Sequence, residues 1–186
     1  MAQSIAETYR PLLSAASFAA RAHRHQLRKD RETPYSAHPF RVCLIVRHVF
    51  GIDDPDVLTA ALLHDTIEDT TTDRDDLIEH FGPRVADWVS VLSKDKRLAD
   101  DEREAVYMDG LANAPLSVKL CKLADIFDNL MDSAHLSGSS KAKTVVRTRK
   151  YLDCLAKNLD DRGRSAFDLV CSLHAETASA IASKQV

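Results

Sequence analysis

His64 and Asp65 stand side by side in the stretch ALLHDTIEDT, residues 61–70, and Glu68 and Asp69 follow in the same short run. Residues of the same types recur far away in the chain: His38 in YSAHPF and Asp125 in VKLCKLADIFDN. Two imidazoles and two carboxylates make a mixed nitrogen and oxygen donor set, suited to a divalent ion such as Mn2+, Fe2+ or Zn2+. A bound ion of that kind lowers the pKa of water, and an adjacent carboxylate can take the proton. The chemistry open to these residues is hydrolysis by an activated water, and no cysteine is placed for a covalent intermediate. Each residue also has a plainer reading. Asp65, Glu68 and Asp69 would suit a solvated acidic face. A histidine before a proline commonly packs and hydrogen-bonds, and an aspartate in a long helix is commonly exposed. The order His38, His64-Asp65, Asp125 tells against coincidence.

These side chains need elements to position them, and the elements read as helices. Asp54 suits an N-cap and Pro55 the first helical position, so one helix is expected to run through PDVLTAALLHDTIED. At about 100° per residue, Glu68 lies roughly 40°, Asp65 roughly 100° and Asp69 roughly 140° round the axis from His64. Leu63, Ile67 and Ala60 fall on the other side, so His64 borders the apolar face. His38 sits where the loop RKDRETPYSAHP ends and a helix begins, with Pro39 in the first turn. On that helix Val42, Ile45, Val46 and Val49 form a core-facing stripe, and Gly51 is a plausible stop. Asp125 lies on a long amphipathic helix over residues 114–136, where Val118, Leu123, Ile126, Phe127 and Leu130 suggest burial.

The remaining stretches follow the same pattern. LLSAASFAARAHRHQL has helical spacing with a basic tail, and TTTDRDDLIEHFG is a capped short helix stopped at Gly82. Pro83 opens a helix bearing Val85, Trp88, Val89 and Leu92. The charged segment SKDKRLADDEREAV reads as partly loop, and residues 137–140 (SGSS) as a hinge before the helix KAKTVVRTRKYLDCLAKNL. A last helix is expected over about 163–183. Strand-like alternation is hard to find, so the fold class is all-α.

Bulk properties narrow the function. The chain has 186 residues and 45% hydrophobic residues, enough for one domain with a real core. Only 6% are aromatic, and abundant alanine and leucine favour helix over sheet. A net charge of −3 gives no basic field toward nucleic acid or an anionic membrane. No secretory signal and no membrane-length apolar run is seen, so a cytoplasmic protein is expected. Cys43, Cys121, Cys154 and Cys171 are widely spaced and read as reduced core thiols.

The ordered His, His-Asp, Asp pattern is the signature of the HD phosphohydrolase superfamily. RKDRETPYSAHP, TAALLHDTIEDT and VKLCKLADIFDNL resemble the blocks of the RelA/SpoT-type hydrolase domain, over roughly residues 10–160. The short chain is similar to the stand-alone small alarmone hydrolases. This resemblance implies a single-domain HD-fold helical bundle spanning residues 1–186. It implies one Mn2+ (or another divalent ion) held by His38, His64, Asp65 and Asp125, with Glu68 and Asp69 positioning and activating the attacking water. It further implies that Arg28 and Lys29 face the substrate's phosphates, and that Asn129, Arg147 and Tyr151 contact the nucleotide. The implied reaction is hydrolysis of the 3′-pyrophosphate of guanosine tetra- or pentaphosphate, giving GDP or GTP and pyrophosphate. The partner would be a small phosphorylated nucleotide, with no nucleic acid or membrane involved and the oligomeric state left open.

The chain departs from that pattern after Asp125. Relatives read LAD-basic-x-His/Tyr-N-x-R, whereas this chain has Ile126, Asp128 and Met131. Two cationic positions are missing and a carboxylate is added, which is expected to weaken complementarity to a polyphosphate. Base and phosphate preference therefore stay open: an adenosine alarmone, (p)ppApp, or another nucleotide such as NADPH is an alternative substrate. The loop before His38 also lacks the glycine many relatives contain. A non-catalytic nucleotide sensor is a further alternative, but it would not need the Glu68-Asp69 pair.

Overall fold

The structure, a computed structural model, describes residues 4–135 and 138–183. As the sequence led us to expect, it is all-α. Helix α1 (Ile5–Ala22) is followed by α2 (Ala37–Leu44), which runs on into a π-helical turn (Ile45–Val49). Next come α3 (Pro55–Leu63), the short α4 (Thr66–Asp69), α5 (Arg74–Phe81) and α6 (Pro83–Leu92). The chain closes with α7 (Asp100–Asn113), α8 (Leu116–Met131), α9 (Gly138–Leu155) and α10 (Asp161–Ala182). None of the described helices is long and apolar enough to cross a membrane.

The middle of the molecule is α3. Every residue from Val57 to Leu63 is buried, and the helix packs on α1, α2, α6 and α8. Its start follows the sequence: the Asp54 carboxylate accepts from the backbone N–H groups of Asp56 and Val57, and Pro55 occupies the first turn. Helix α8 lies against α2, α3 and α6 and carries Val118, Leu120, Leu123 and Leu130 into the same core. Helix α10 packs on α8 and α9, while α9 reaches across to α7. Cys121 is buried, the other three cysteines are partly buried, and all four are free.

Four expectations need correction. The helix through PDVLTAALLHDTIED is not continuous: α3 ends at Leu63, and Asp65 has φ −101° and ψ −3° before α4 restarts. Side chains take over at the break. Thr66 Oγ1 donates to the Leu63 carbonyl at 2.7 Å, and His64 Nδ1 lies 2.8 Å from the Ala61 carbonyl. The first helix begins earlier than LLSAAS and stops at Ala22, because Leu27 is drawn into a bridge with Pro34 that closes the following loop. The helix carrying Asp125 ends at Met131 and tightens into a 3-10 turn over Asp132–His135. Finally, Gly138 to Ser140 form the first turn of α9; Ser137 of the expected hinge lies outside the described residues.

The loop between α1 and α2 holds its shape without a glycine. Asp30 accepts from the backbone N–H groups of Glu32 and Thr33 and from the Thr33 hydroxyl. Arg31 takes φ 64°, the left-handed region a glycine would occupy more cheaply. Hydrogen bonds from Arg28 N to Thr33 O at 2.8 Å and from Tyr35 N to Gln26 O at 2.9 Å then deliver Tyr35 and His38 to the core.

Candidate active site

Three elements bring the polar residues together. The start of α2 supplies His38, the break between α3 and α4 supplies His64 and Asp65, and the middle of α8 supplies Asp125. His38 and His64 are almost wholly buried, at 1% and 2% exposure. A backbone carbonyl can only accept, so His64 Nδ1 donates to Ala61 O at 2.8 Å. His38 Nδ1 donates to the Asp128 carboxylate at 2.7 Å. Both Nε2 atoms are then left as lone-pair acceptors, facing one another at 3.3 Å.

Carboxylates crowd the same point. Asp65 Oδ2 lies 3.1 Å from His64 Nε2 and 3.4 Å from His38 Nε2. Asp125 Oδ1 lies 3.2 Å from His38 Nε2 and 3.8 Å from His64 Nε2. His38, His64 and Asp65 each offer one donor atom within 4.8 Å of the others, with Asp125 beside them, a group that could hold a cation. Neighbouring donors around an octahedral ion with bonds of about 2.1 Å stand about 3 Å apart, so this donor set fits a divalent metal. The helix break makes it possible: on a continuous helix His64 and Asp65 would diverge by about 100°.

Without a cation the site holds protons instead. Burial pulls both imidazoles toward neutrality. Hydrogen bonds to Asp125, Asp128 and Asp65 outweigh that at His38, and the charge of Asp65 outweighs it at His64, so both are shifted up. Asp65 and Asp125 are held below the usual carboxylate range despite burial, by His64 and Lys122 respectively and by further cationic neighbours. A cation entering this site has to displace those protons, because only a neutral imidazole offers a lone pair.

The quartet opens into a cleft of about 220 Å3 lined by Tyr35, Glu68, Lys94, Lys122, Asn129, Arg147 and Tyr151, among others. Glu68 enters it with Oε2 accepting from the backbone N–H of Lys94 at 2.9 Å. Burial, with Asp65 and Asp69 nearby, raises its pKa although that N–H opposes the shift. Asp69 is not among the lining residues; it accepts from Lys96 Nζ at 2.8 Å, and Tyr35 Oη lies 3.5 Å away. Asn129 donates to Asp125 Oδ1 at 2.6 Å. Tyr151 is 5% exposed rather than on an exposed turn, and its hydroxyl takes a hydrogen bond from Lys94 Nζ at 2.6 Å.

The basic loop is arranged differently from what the resemblance implied. Arg28 is turned inward, donating to Asp132 at 2.8 and 3.0 Å and to Asn129 Oδ1 at 3.2 Å. Lys29 does not line the cleft. It borders an adjoining hollow of about 340 Å3 with Ser140, Lys143, Thr144 and Arg147, and Arg147 and Thr144 face both spaces. Partial burial, then Arg147 and Arg28, push the Lys29 pKa down, as expected where cations gather.

The reading of the segment after Asp125 is overturned at one residue. Asp128 does not face a substrate: it is 3% exposed, points to the back of His38 and is clamped by Arg41 at 2.6 and 2.9 Å. Ile126 lines the cleft, and Met131 is exposed at the end of α8. Sequence reasoning also missed three residues. Lys122, three before Asp125 and so on its helix face, donates to Asp125 Oδ2 at 2.8 Å. That spacing was a usable signal. Lys94, in a charged loop, and Tyr35, which donates to Asp65 Oδ2 at 2.5 Å, had none. Lys94 and Lys122 both lie over the edge-packed rings of Tyr107 and Tyr151, 5.0 to 5.3 Å from their centroids. They place positive charge in the cleft that the pattern after Asp125 lacks.

Comparison with known proteins agrees with this geometry. The HD domain family model matches residues 15–152. The human guanosine-3′,5′-bis(diphosphate) 3′-pyrophosphohydrolase MESH1 is 48% identical over 122 residues, covering 65% of this chain and 68% of that protein. A protein of the same activity name from Aquifex aeolicus is 38% identical over 148 residues, covering 78% of this chain and 21% of its own length. A solved structure of a metazoan orthologue of SpoT, described as hydrolysing ppGpp with a role in starvation responses, superposes with a TM-score of 0.76 at 31% identity. That likeness covers 91% of this chain and 96% of the solved one. The chain therefore belongs to the HD domain family and, within it, to the RelA/SpoT-type branch that MESH1 represents.

Proposed function

We propose that this protein is a metal-dependent nucleotide 3′-pyrophosphohydrolase acting on guanosine tetra- and pentaphosphate, with the whole chain serving as one hydrolase domain. The observation that carries the proposal is the grouping of His38, His64 and Asp65, with Asp125 3.2 Å from His38, at a cleft that also holds a half-buried glutamate and several cations. These four residues would hold one Mn2+. When bound, such an ion lowers the pKa of water and draws charge from phosphoryl oxygens.

The chain's own residues do the rest. Glu68, its basicity raised by burial, takes a proton from the attacking water, and Asp69, outside the cleft lining, acts on that water only through Tyr35. The water oxygen joins the phosphorus nearest O3′, the P–O3′ bond breaks, and O3′ takes up a proton. Pyrophosphate and GDP or GTP leave. Lys122, Lys94 and Arg147 offset the negative charge of the diphosphate, and Tyr151 packs beside it. Asn129 holds Asp125, Arg28 holds Asn129 in turn, and Lys29 borders the adjoining hollow. The 48% identity to MESH1 supports the guanosine substrate.

Turnover of guanosine and adenosine 3′-pyrophosphates and NADPH, with Mn2+ and after chelation, tests the proposal. Guanosine substrates should be cleaved to pyrophosphate only with metal present. Faster cleavage of an adenosine substrate or of NADPH would move the assignment, and no turnover of any of them would remove it.

A further inference from the structure

We infer that Asp128 is a positioning residue for the metal centre: it holds His38 as a ligand from behind, while Arg41 keeps it charged. The inference rests on the reading of His38 as a ligand but concerns residues that reading does not use. His38 Nδ1 meets Asp128 Oδ2 at 2.7 Å, opposite the Nε2 that faces Asp65 and Asp125. Both Asp128 oxygens are engaged, because Arg41 forks onto Oδ1 at 2.6 Å and Oδ2 at 2.9 Å. Arg28 adds a longer contact at 3.9 Å. A carboxylate buried to 3% exposure would otherwise be costly, so the Arg41 fork is what permits it to stay ionised there.

An anion at this position has three effects. It fixes the tautomer with the proton on Nδ1, it locks the ring's orientation, and it raises electron density at Nε2. The two histidines are unequal in this respect. His64 leans on the neutral carbonyl of Ala61, whereas His38 leans on a full negative charge. His38 is therefore the stronger donor of the pair, and the acidic residue after Asp125 acts on metal affinity instead of on substrate charge.

The test is Mn2+ binding to metal-free protein, measured by calorimetry for the wild type and for Asp128→Asn. Asparagine keeps an acceptor for Nδ1–H and removes the charge. The variant should bind Mn2+ about 10–100-fold more weakly, the usual effect of losing such a partner, with the nucleotide KM at saturating Mn2+ little changed. Wild-type affinity in Asp128→Asn would overturn the inference even if the melting temperature fell, since a merely structural ion pair behaves that way. A changed KM with unchanged Mn2+ affinity would also overturn it and return Asp128 to the substrate. Wild-type protein that takes up no Mn2+ would instead overturn the proposed centre itself. The wild type offers a second measurement that needs no variant to fold. With diamagnetic Zn2+ bound, nitrogen-15 NMR should find the His38 proton on Nδ1, and a proton on Nε2 contradicts the inference.

Discussion

Glu68 and Asp125 are carboxylates lining the same cleft, yet their surroundings prepare them for different work. Asp125 has one oxygen toward the histidines and the other on Lys122, and its pKa is held down despite burial. Glu68 has a single backbone donor from Lys94, and burial moves it the other way. One is prepared to stay an anion, the other to accept a proton. Glu68→Gln should accordingly keep its Mn2+ and its nucleotide affinity while kcat falls by about 10²–10⁴-fold, the usual worth of a general base. Loss of metal from that variant would make Glu68 a ligand; unchanged kcat would leave it a bystander. At this scale the meeting of His38, His64, Asp65 and Asp125 could be read from the sequence, because residue types in a fixed order survive any uncertainty about helix ends. The direction of Asp128 could not. It lies three residues from Asp125, and only Arg41 and His38 on a different helix decide that it turns inward.

Between the elements, the informative features are breaks and caps. A periodicity argument carried one helix from Asp54 through Asp69, since TIED is as helical in composition as what precedes it. The break at His64-Asp65 comes from the side chains of Thr66 and His64 replacing backbone hydrogen bonds, a tertiary choice that local spacing does not reveal. The glycine-free loop shows the converse. Arg31→Gly should relieve the left-handed strain and stabilise the protein by about 0.5–1 kcal/mol, read as a higher melting temperature; a lower one would contradict that origin. Lys119 ties two helix ends together: it is 1% exposed and its Nζ donates to the carbonyls of Ala112 at 3.1 Å and Lys157 at 2.6 Å. Lys119→Met fills similar volume but leaves both carbonyls unpaired, a loss of about 1–3 kcal/mol in denaturant unfolding. Metal content per folded molecule should not change. A neutral substitution would mean that water satisfies both carbonyls.

For the molecule as a whole, the proposed metal site would link folding to metal binding. Four acceptors face one another at the meeting of α2, α3 and α8, so the metal-free fold keeps protons there or suffers repulsion. Mn2+ at about a hundredfold over its Kd should stabilise the protein by about 2.7 kcal/mol, seen as a rise in melting temperature. The rise should vanish in His64→Ala, and a rise that persisted would place the ion elsewhere. The all-α class followed from composition and apolar spacing, which depend on the chain alone. Lys94, whose place in the cleft depends on how a loop meets Tyr151 of α9, was not legible. The central claim is that water cleaves the P–O3′ bond of the nucleotide's 3′-diphosphate. Turnover of guanosine tetraphosphate in oxygen-18 water with Mn2+ tests it most directly. The label should enter the released pyrophosphate, leaving the 3′-hydroxyl of GDP unlabelled. Label in that hydroxyl, or release of inorganic phosphate in place of pyrophosphate, would contradict it.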